Sequence, residues 1–171
     1  MNNLSEILED TYKYEYGKLR PQGYMIMTSD VESLYTKIDE FNKNLPLLKE
    51  DISNVLILNV LPENGLKETF HHWGSLIYGK EFKANKTAYE IMEYQIHSKL
   101  KELEIRMIII KDIHNFKDKV KRNNLIFMNY IKNISNKYNI PSILCGDLNS
   151  NKLLLDDQLL SRYIPLKIIQ N

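Results

Sequence analysis

The chain has 171 residues, of which 43% are hydrophobic and 26% charged, and its formal net charge is +1. That length makes one ordinary domain able to bury a full core, and the composition excludes a disordered or membrane chain, since no apolar run approaches the ~20 residues of a spanning helix. Near-neutral charge gives no whole-molecule argument for or against nucleic acid, and the one cysteine, Cys145, excludes an internal disulfide.

The opening Met-Asn-Asn-Leu-Ser-Glu has neither a basic n-region nor an apolar h-region, so a secretory signal is not expected and the expected compartment is the reducing cytoplasm. Residues 3–17 predict a helix, because Leu4, Ile7, Leu8, Tyr12 and Tyr16 recur at helical spacing and Gly17 stops it. Pro21-Gln22-Gly23 predicts a turn and Tyr24–Met27 a short strand. Thr28-Ser29-Asp30 then supplies N-cap chemistry for a helix over 31–43, with Leu34, Ile38 and Phe41 inward and Pro46 beyond its end.

Val55–Val60 reads as a second buried strand, followed by a turn at Pro62-Glu63-Asn64-Gly65. Helices are expected over 66–77 and 87–103, the second apolar at Ile91, Tyr94, Ile96 and Leu100. Met107–Ile110 is a third strand, and a helix follows over 121–138. Ser142–Cys145, closed by Gly146-Asp147, is a fourth strand; a helix over 150–161 and a short strand over Ile164–Ile169 complete the chain. Strands alternating with helices imply a parallel sheet with helices on both faces. The expectation is a single α/β domain over 1–171, three-layered, with a mainly parallel sheet of about five strands. Residues 1–20 form an N-terminal helix and lead-in, and 21–171 the core.

The segment Ile105–Asn115 carries the most chemical information. Its apolar strand resembles the one that in NTPases ends in Asp-Glu, the Asp holding Mg²⁺ and the Glu orienting water. Here Lys111 and Asp112 stand in those places. At ~4 Å and an effective dielectric near 20, an ammonium against a dication is unfavourable by roughly 8 kcal/mol before screening.

The order of elements resembles the AAA+ core of P-loop NTPases, and the second half resembles the TniB/TnsC transposition ATPases. That likeness rests on Lys111-Asp112-Ile113-His114-Asn115, on Asn136-Lys137-Tyr138-Asn139-Ile140-Pro141, on the strand Ser142–Gly146, and on Asp156-Asp157-Gln158-Leu159-Leu160-Ser161-Arg162-Tyr163. In the first half Arg20-Pro21, the strand and Phe41 fit by position. Laid on that frame, the P-loop falls on Thr28-Ser29-Asp30-Val31-Glu32-Ser33-Leu34-Tyr35. Thr28 and Ser33 replace its glycines, Leu34 its lysine and Tyr35 the Mg²⁺-binding hydroxyl residue. Val31 and Ser33 resist positive φ, and Asp30 and Glu32 place negative charge where triphosphate would lie.

The resemblance implies ATP and Mg²⁺ for the family; the substitutions imply their loss, no metal, no cofactor and a non-hydrolysing pseudo-ATPase. It further implies a degenerate acidic site at Lys111 and Asp112, a sensor-like position at Asp147, and an arginine-finger-like or interface residue at Arg162. The helical lid that follows the family's core is expected to be lacking. The expected role is in transposition and target selection of a mobile element through protein contacts. Partners would be transposase or other transposition proteins, an intact AAA+ paralogue, and DNA through an assembly. Lys111 and Asp112 are expected to pair with Asp30, Glu32 or Asp147, and His114 and Asn115 to shape the loop after their strand. Adjacent His71 and His72 diverge by about 100° on a helix and do not suggest a metal pair.

Two alternatives remain open at this level. One is a weak nucleotide or anion sensor using the helix N-terminus after Met27. The other is a DNA- or RNA-binding module using the bases at 117–122 and 132–137.

Overall fold

In the computed structural model, residues 4–13, 21–45, 54–62, 66–78, 98–115, 121–136, 138–155 and 161–168 are described. Five apolar segments form strands: β1 (Gly23–Thr28), β2 (Val55–Asn59), β3 (Met107–Lys111), β4 (Ser142–Asp147) and β5 (Tyr163–Ile168). They pair in the order β2-β3-β4-β1-β5, and every pairing is parallel. Parallel strands need crossovers that cover both sheet faces, and that is why β3 is apolar from Met107 to Ile110 and buried along its whole length.

Side-chain alternation splits the core in two. Met107 and Ile109, with Ile26, Ile143 and Cys145, pack against Leu4, Ile7 and Leu8 of α1 (Leu4–Tyr12) and Leu34 and Ile38 of α2 (Val31–Lys43). Ile108 and Ile110, with Met25, Met27 and Leu144, face the other way. They meet Phe70 and Trp73 of α3 (Leu66–Tyr78) and Phe127, Tyr130 and Ile131 of α4 (Lys121–Asn136). The Phe70 and Tyr130 rings meet edge to face at 4.8 Å, and the Trp73 indole N–H donates to the Asn59 carbonyl at 2.8 Å, tying α3 to β2. Three layers and five parallel strands are thus the observed architecture.

Several local expectations change. Gly23 opens β1 instead of closing a turn: a Cβ there would run into the Tyr163 ring and the Ser142 carbonyl. The tail of the helix expected over 3–17 and residues 87–97 of the one expected over 87–103 lie outside the described residues; of the second, 98–102 is helical. In place of the α-helix expected from 150, a 3₁₀ segment runs over Leu148–Leu155 directly off β4. The cause is local. The Asp147 carboxylate accepts the Asn149 N–H at 2.8 Å and the Asn149 side-chain amide at 2.9 Å, folding the chain into a tight turn. Pro165 is accommodated because β5 lies at the sheet's edge, where a missing N–H costs no ladder bond.

Candidate functional site

In an open parallel α/β sheet the ligand crevice lies beyond the carboxyl ends of the strands. Here that edge collects Thr28 of β1, Asn59 of β2, Lys111 of β3 and Asp147 of β4. Thr28 is in register with Asp147, and Asn59 with Lys111.

The turn from β1 into α2 is short and closed upon itself. The Asp30 N–H donates to Thr28 Oγ1 at 3.1 Å, Asp30 Oδ1 accepts the Ser33 N–H at 3.0 Å, and the Leu34 N–H reaches the Asp30 carbonyl at 3.3 Å. Asp30 is therefore the N-cap, and Glu32 adds a second carboxylate in the first turn, both favoured by the helix dipole. The stretch Thr28–Tyr35 consists of a strand end, a link of Ser29 and Asp30, and helical residues from Val31 onward.

From α2, Tyr35 reaches the end of β3. Its hydroxyl donates to Asp112 Oδ1 at 2.8 Å and accepts the Asp112 N–H at 2.8 Å. Both bonds converge because the backbone turns left-handed at Asp112, with φ 59°, a conformation Asp tolerates better than most residues. Burial, and then the hydrogen bond to Asp112, hold the Tyr35 hydroxyl well above the ordinary tyrosine range, so it stays a proton donor.

One helical turn further on, Asp39 Oδ1 meets Lys111 Nζ at 3.1 Å, and the same ammonium lies 4.5 Å from the centroid of the Tyr35 ring. The Lys111 side chain is only 11% exposed, so an ammonium is held almost out of water by one carboxylate and one π-face. Beneath it Cys145 is fully buried, and desolvation pushes its thiol up to about 12, against an opposing pull from Lys111. Such a thiol is a small hydrophobe and not a nucleophile.

These pairings differ from the ones anticipated. Lys111 takes Asp39 and Asp112 takes Tyr35, whereas Asp30 is committed to its own helix and Asp147 to its own turn. The reason is parity. Met107, Ile109 and Lys111 share the α2 face of β3, and Tyr35 and Asp39, four apart, share one face of α2. Asp39 is the site residue that sequence reasoning missed; its spacing from Tyr35 was the available signal.

Asp147 ends β4, the strand next to β3. Its backbone N–H donates to His114 Nδ1 at 3.2 Å, so that nitrogen is the unprotonated one, and Nδ1 lies 3.9 Å from Asp147 Oδ1. Gly146 admits this approach: a Cβ there would collide with Ser150 Oγ and Ile113 Cγ2. Asn115 donates from its side-chain amide to the Val60 carbonyl at 3.2 Å, bracing the loop after β3 against the end of β2.

Arg162 is not part of this constellation. Its carbonyl accepts the Gly23 N–H at 3.0 Å at the start of β5. That is the opposite edge of the sheet, about 20 Å away at ~3.3 Å per strand residue. Of the basic residues considered for nucleic acid, Lys117, Lys119 and Lys137 lie outside the described residues, and Lys132 is buried. Among the described residues no group of three or more His, Cys, Asp or Glu side chains is placed to hold a metal ion, and no helix is long and apolar enough to cross a membrane.

The profile of the family described as Bacterial TniB protein matches residues 28–170, most of the chain. The chain belongs to the TniB family. No curated protein matches it. Among solved structures, a chain of "Structure of Drosophila ORC bound to DNA" superposes with a TM-score of 0.54 at 14% identity, over 86% of this chain and 81% of that one. A chain of "Structure of Drosophila ORC bound to GC-rich DNA and Cdc6" gives 0.53 at 14% identity, over 85% of this chain and 49% of that one. A chain of "Structure of Drosophila ORC bound to AT-rich DNA and Cdc6" gives 0.52 at 15% identity, over 86% and 50%. The TniB-family chain therefore spans about half the length of two of these neighbours. At such identities the likeness is one of fold. With the strand order above, that fold is the P-loop NTPase-like core of AAA+ proteins.

Proposed function

We propose that this TniB-family chain is a non-hydrolysing pseudo-ATPase that serves DNA transposition or target selection in the cytoplasm through protein contacts. The observation that carries the reading is the pair of links across the crevice, Tyr35 to Asp112 and Asp39 to Lys111. A P-loop holds phosphates with unengaged backbone N–H groups and a lysine, while a hydroxyl residue and an acid at the end of the neighbouring strand hold Mg²⁺.

The residues present do not fit that group. The Ser33 and Leu34 N–H groups are taken by Asp30. The hydroxyl at position 35 belongs to a ring that spans the crevice, and the place of the metal-binding acid holds a buried ammonium. An anion sensor at the α2 N-terminus would have to displace the Asp30 carboxylate from the donor it already occupies. No observation favours that reading.

We place contact with DNA in an assembly, a reading supported by the family and by structural neighbours solved in complexes on DNA. Arg162, at the edge away from the crevice, is proposed as the residue offered to a neighbouring subunit. The test is to mix the purified chain with an intact AAA+ paralogue from the same element and to follow ATP turnover and co-sedimentation on duplex DNA. Co-assembly or altered turnover is expected, with no hydrolysis by this chain alone. Mg²⁺-dependent ATP hydrolysis by the isolated chain overturns the pseudo-ATPase reading; absence of both co-assembly and altered turnover overturns the accessory role.

A further inference from the structure

Burying an ammonium is costly unless its charge is met. Lys111 is met twice, by Asp39 at 3.1 Å and by the Tyr35 ring at 4.5 Å, and Asp112 follows it in the chain. All of these contacts run between α2 and the end of β3. In P-loop NTPases, nucleotide and metal hold neighbouring segments in place and release them on hydrolysis. Here the same two elements are joined by side chains of the protein itself.

We infer that Lys111 is a tethered cation standing in for a metal ion and that, with Tyr35, it fixes α2 on β3 permanently, without nucleotide. This rests on the reading that the chain does not use Mg·ATP. The geometry carries a corollary. Exchanging the ammonium for a carboxylate gathers a third acid beside Asp39 and Asp112, the hard-oxygen set a divalent cation takes. The tether can then be exchanged for the ion whose place it fills.

Thermal unfolding of the full chain tests this, with and without Mg²⁺, Mn²⁺ and Mg·ATP. For wild type the midpoint is expected to be indifferent to all three. Tyr35→Phe and Lys111→Met each lower it by about 2–4 °C. Lys111→Asp lowers it further, and Mn²⁺ or Mg²⁺ restores part of the loss. The exchange Lys111→Asp with Asp39→Lys recovers stability without added metal, which a purely volumetric role for Lys111 would not produce.

If Tyr35→Phe and Lys111→Met unfold like wild type, or Lys111→Asp ignores divalent cations, the tethered-cation inference is overturned. Stabilisation of wild type by Mg·ATP overturns the pseudo-ATPase reading beneath it. The two failures are therefore read from different samples. Should Lys111→Asp not fold, hydrogen exchange of the α2 amides in Tyr35→Phe decides, with faster exchange supporting the lock and unchanged exchange sinking it.

Discussion

Two tyrosines bracket this sheet and make opposite kinds of contact. At the amino edge Tyr163 is fully buried, its ring lies over Gly23, and its hydroxyl is shared with Ser142 Oγ at 2.7 Å while donating to the Ile131 carbonyl at 3.1 Å. At the carboxyl edge Tyr35 is half-buried and reaches from α2 to the turn after β3. Burial holds both hydroxyls protonated. The first contact exists because a neighbour lacks a side chain, so it belongs to the core and its loss is felt globally. The second exists because a hydroxyl on α2 meets both the carboxylate and the N–H of the residue that follows β3. It is expected to contribute less to overall stability than the first.

The sharpest way to break that contrast is Gly23→Ala. The new methyl has nowhere to go between the Tyr163 ring and the Ser142 carbonyl. A destabilisation of about 3 kcal/mol is expected, read as a midpoint roughly 6–12 °C lower in calorimetry.

Identical substitutions at the two tyrosines come next. Tyr163→Phe leaves the buried Ser142 hydroxyl without its partner and removes a bond to the Ile131 carbonyl, and is expected to cost about 2 kcal/mol. Tyr35→Phe leaves Asp112 in reach of water and is expected to cost about 1 kcal/mol, though it alone should quicken exchange of the α2 amides. Equal losses in urea unfolding would erase the distinction between the two edges.

Alkali sharpens the comparison from another side. Cys145 and both tyrosines have folded values raised above their ordinary 9.0 and 10.0, so the fold keeps protons that the unfolded chain releases. Their contribution is fully present below pH 9.0 and is lost as pH rises toward about 12 for Cys145. About 2 kcal/mol from the thiol should be gone roughly one and a half units above its ordinary value, measured by denaturant midpoints. In the same pH range Cys145 in the folded chain should resist alkylation. Lys111→Met is expected to cost no more than Tyr35→Phe, about 1 kcal/mol, because the partner Asp39 is 52% exposed and solvent screens the pair.

Much of the architecture is legible in the sequence because each strand is an apolar run bounded by turn residues, and β1 to β5 fall where those runs predict. The three-layer parallel sheet follows from their alternation with helices. The crevice is only half legible. A helix from Val31 and a phosphate loop over Thr28–Tyr35 compete for the same residues, and the Asp30 cap decides for the helix. The pairings across it join residues 72 and 77 positions apart, beyond the reach of any local pattern. Strand parity did point Lys111 toward α2. What no pattern indicated was the left-handed turn at Asp112, which carries a carboxylate that strict alternation would aim elsewhere back onto Tyr35.

The early start of α2 has an evolutionary corollary. Since Val31 to Tyr35 already lie in the helix, a glycine placed there would weaken it, and a lysine at the buried Leu34 would carry a charge into the core, before any phosphate could be gripped. Each single step back is uphill. On the proposed reading that the chain does not use Mg·ATP, its lineages are therefore expected to drift further from the motif without recovering it, as on a ratchet.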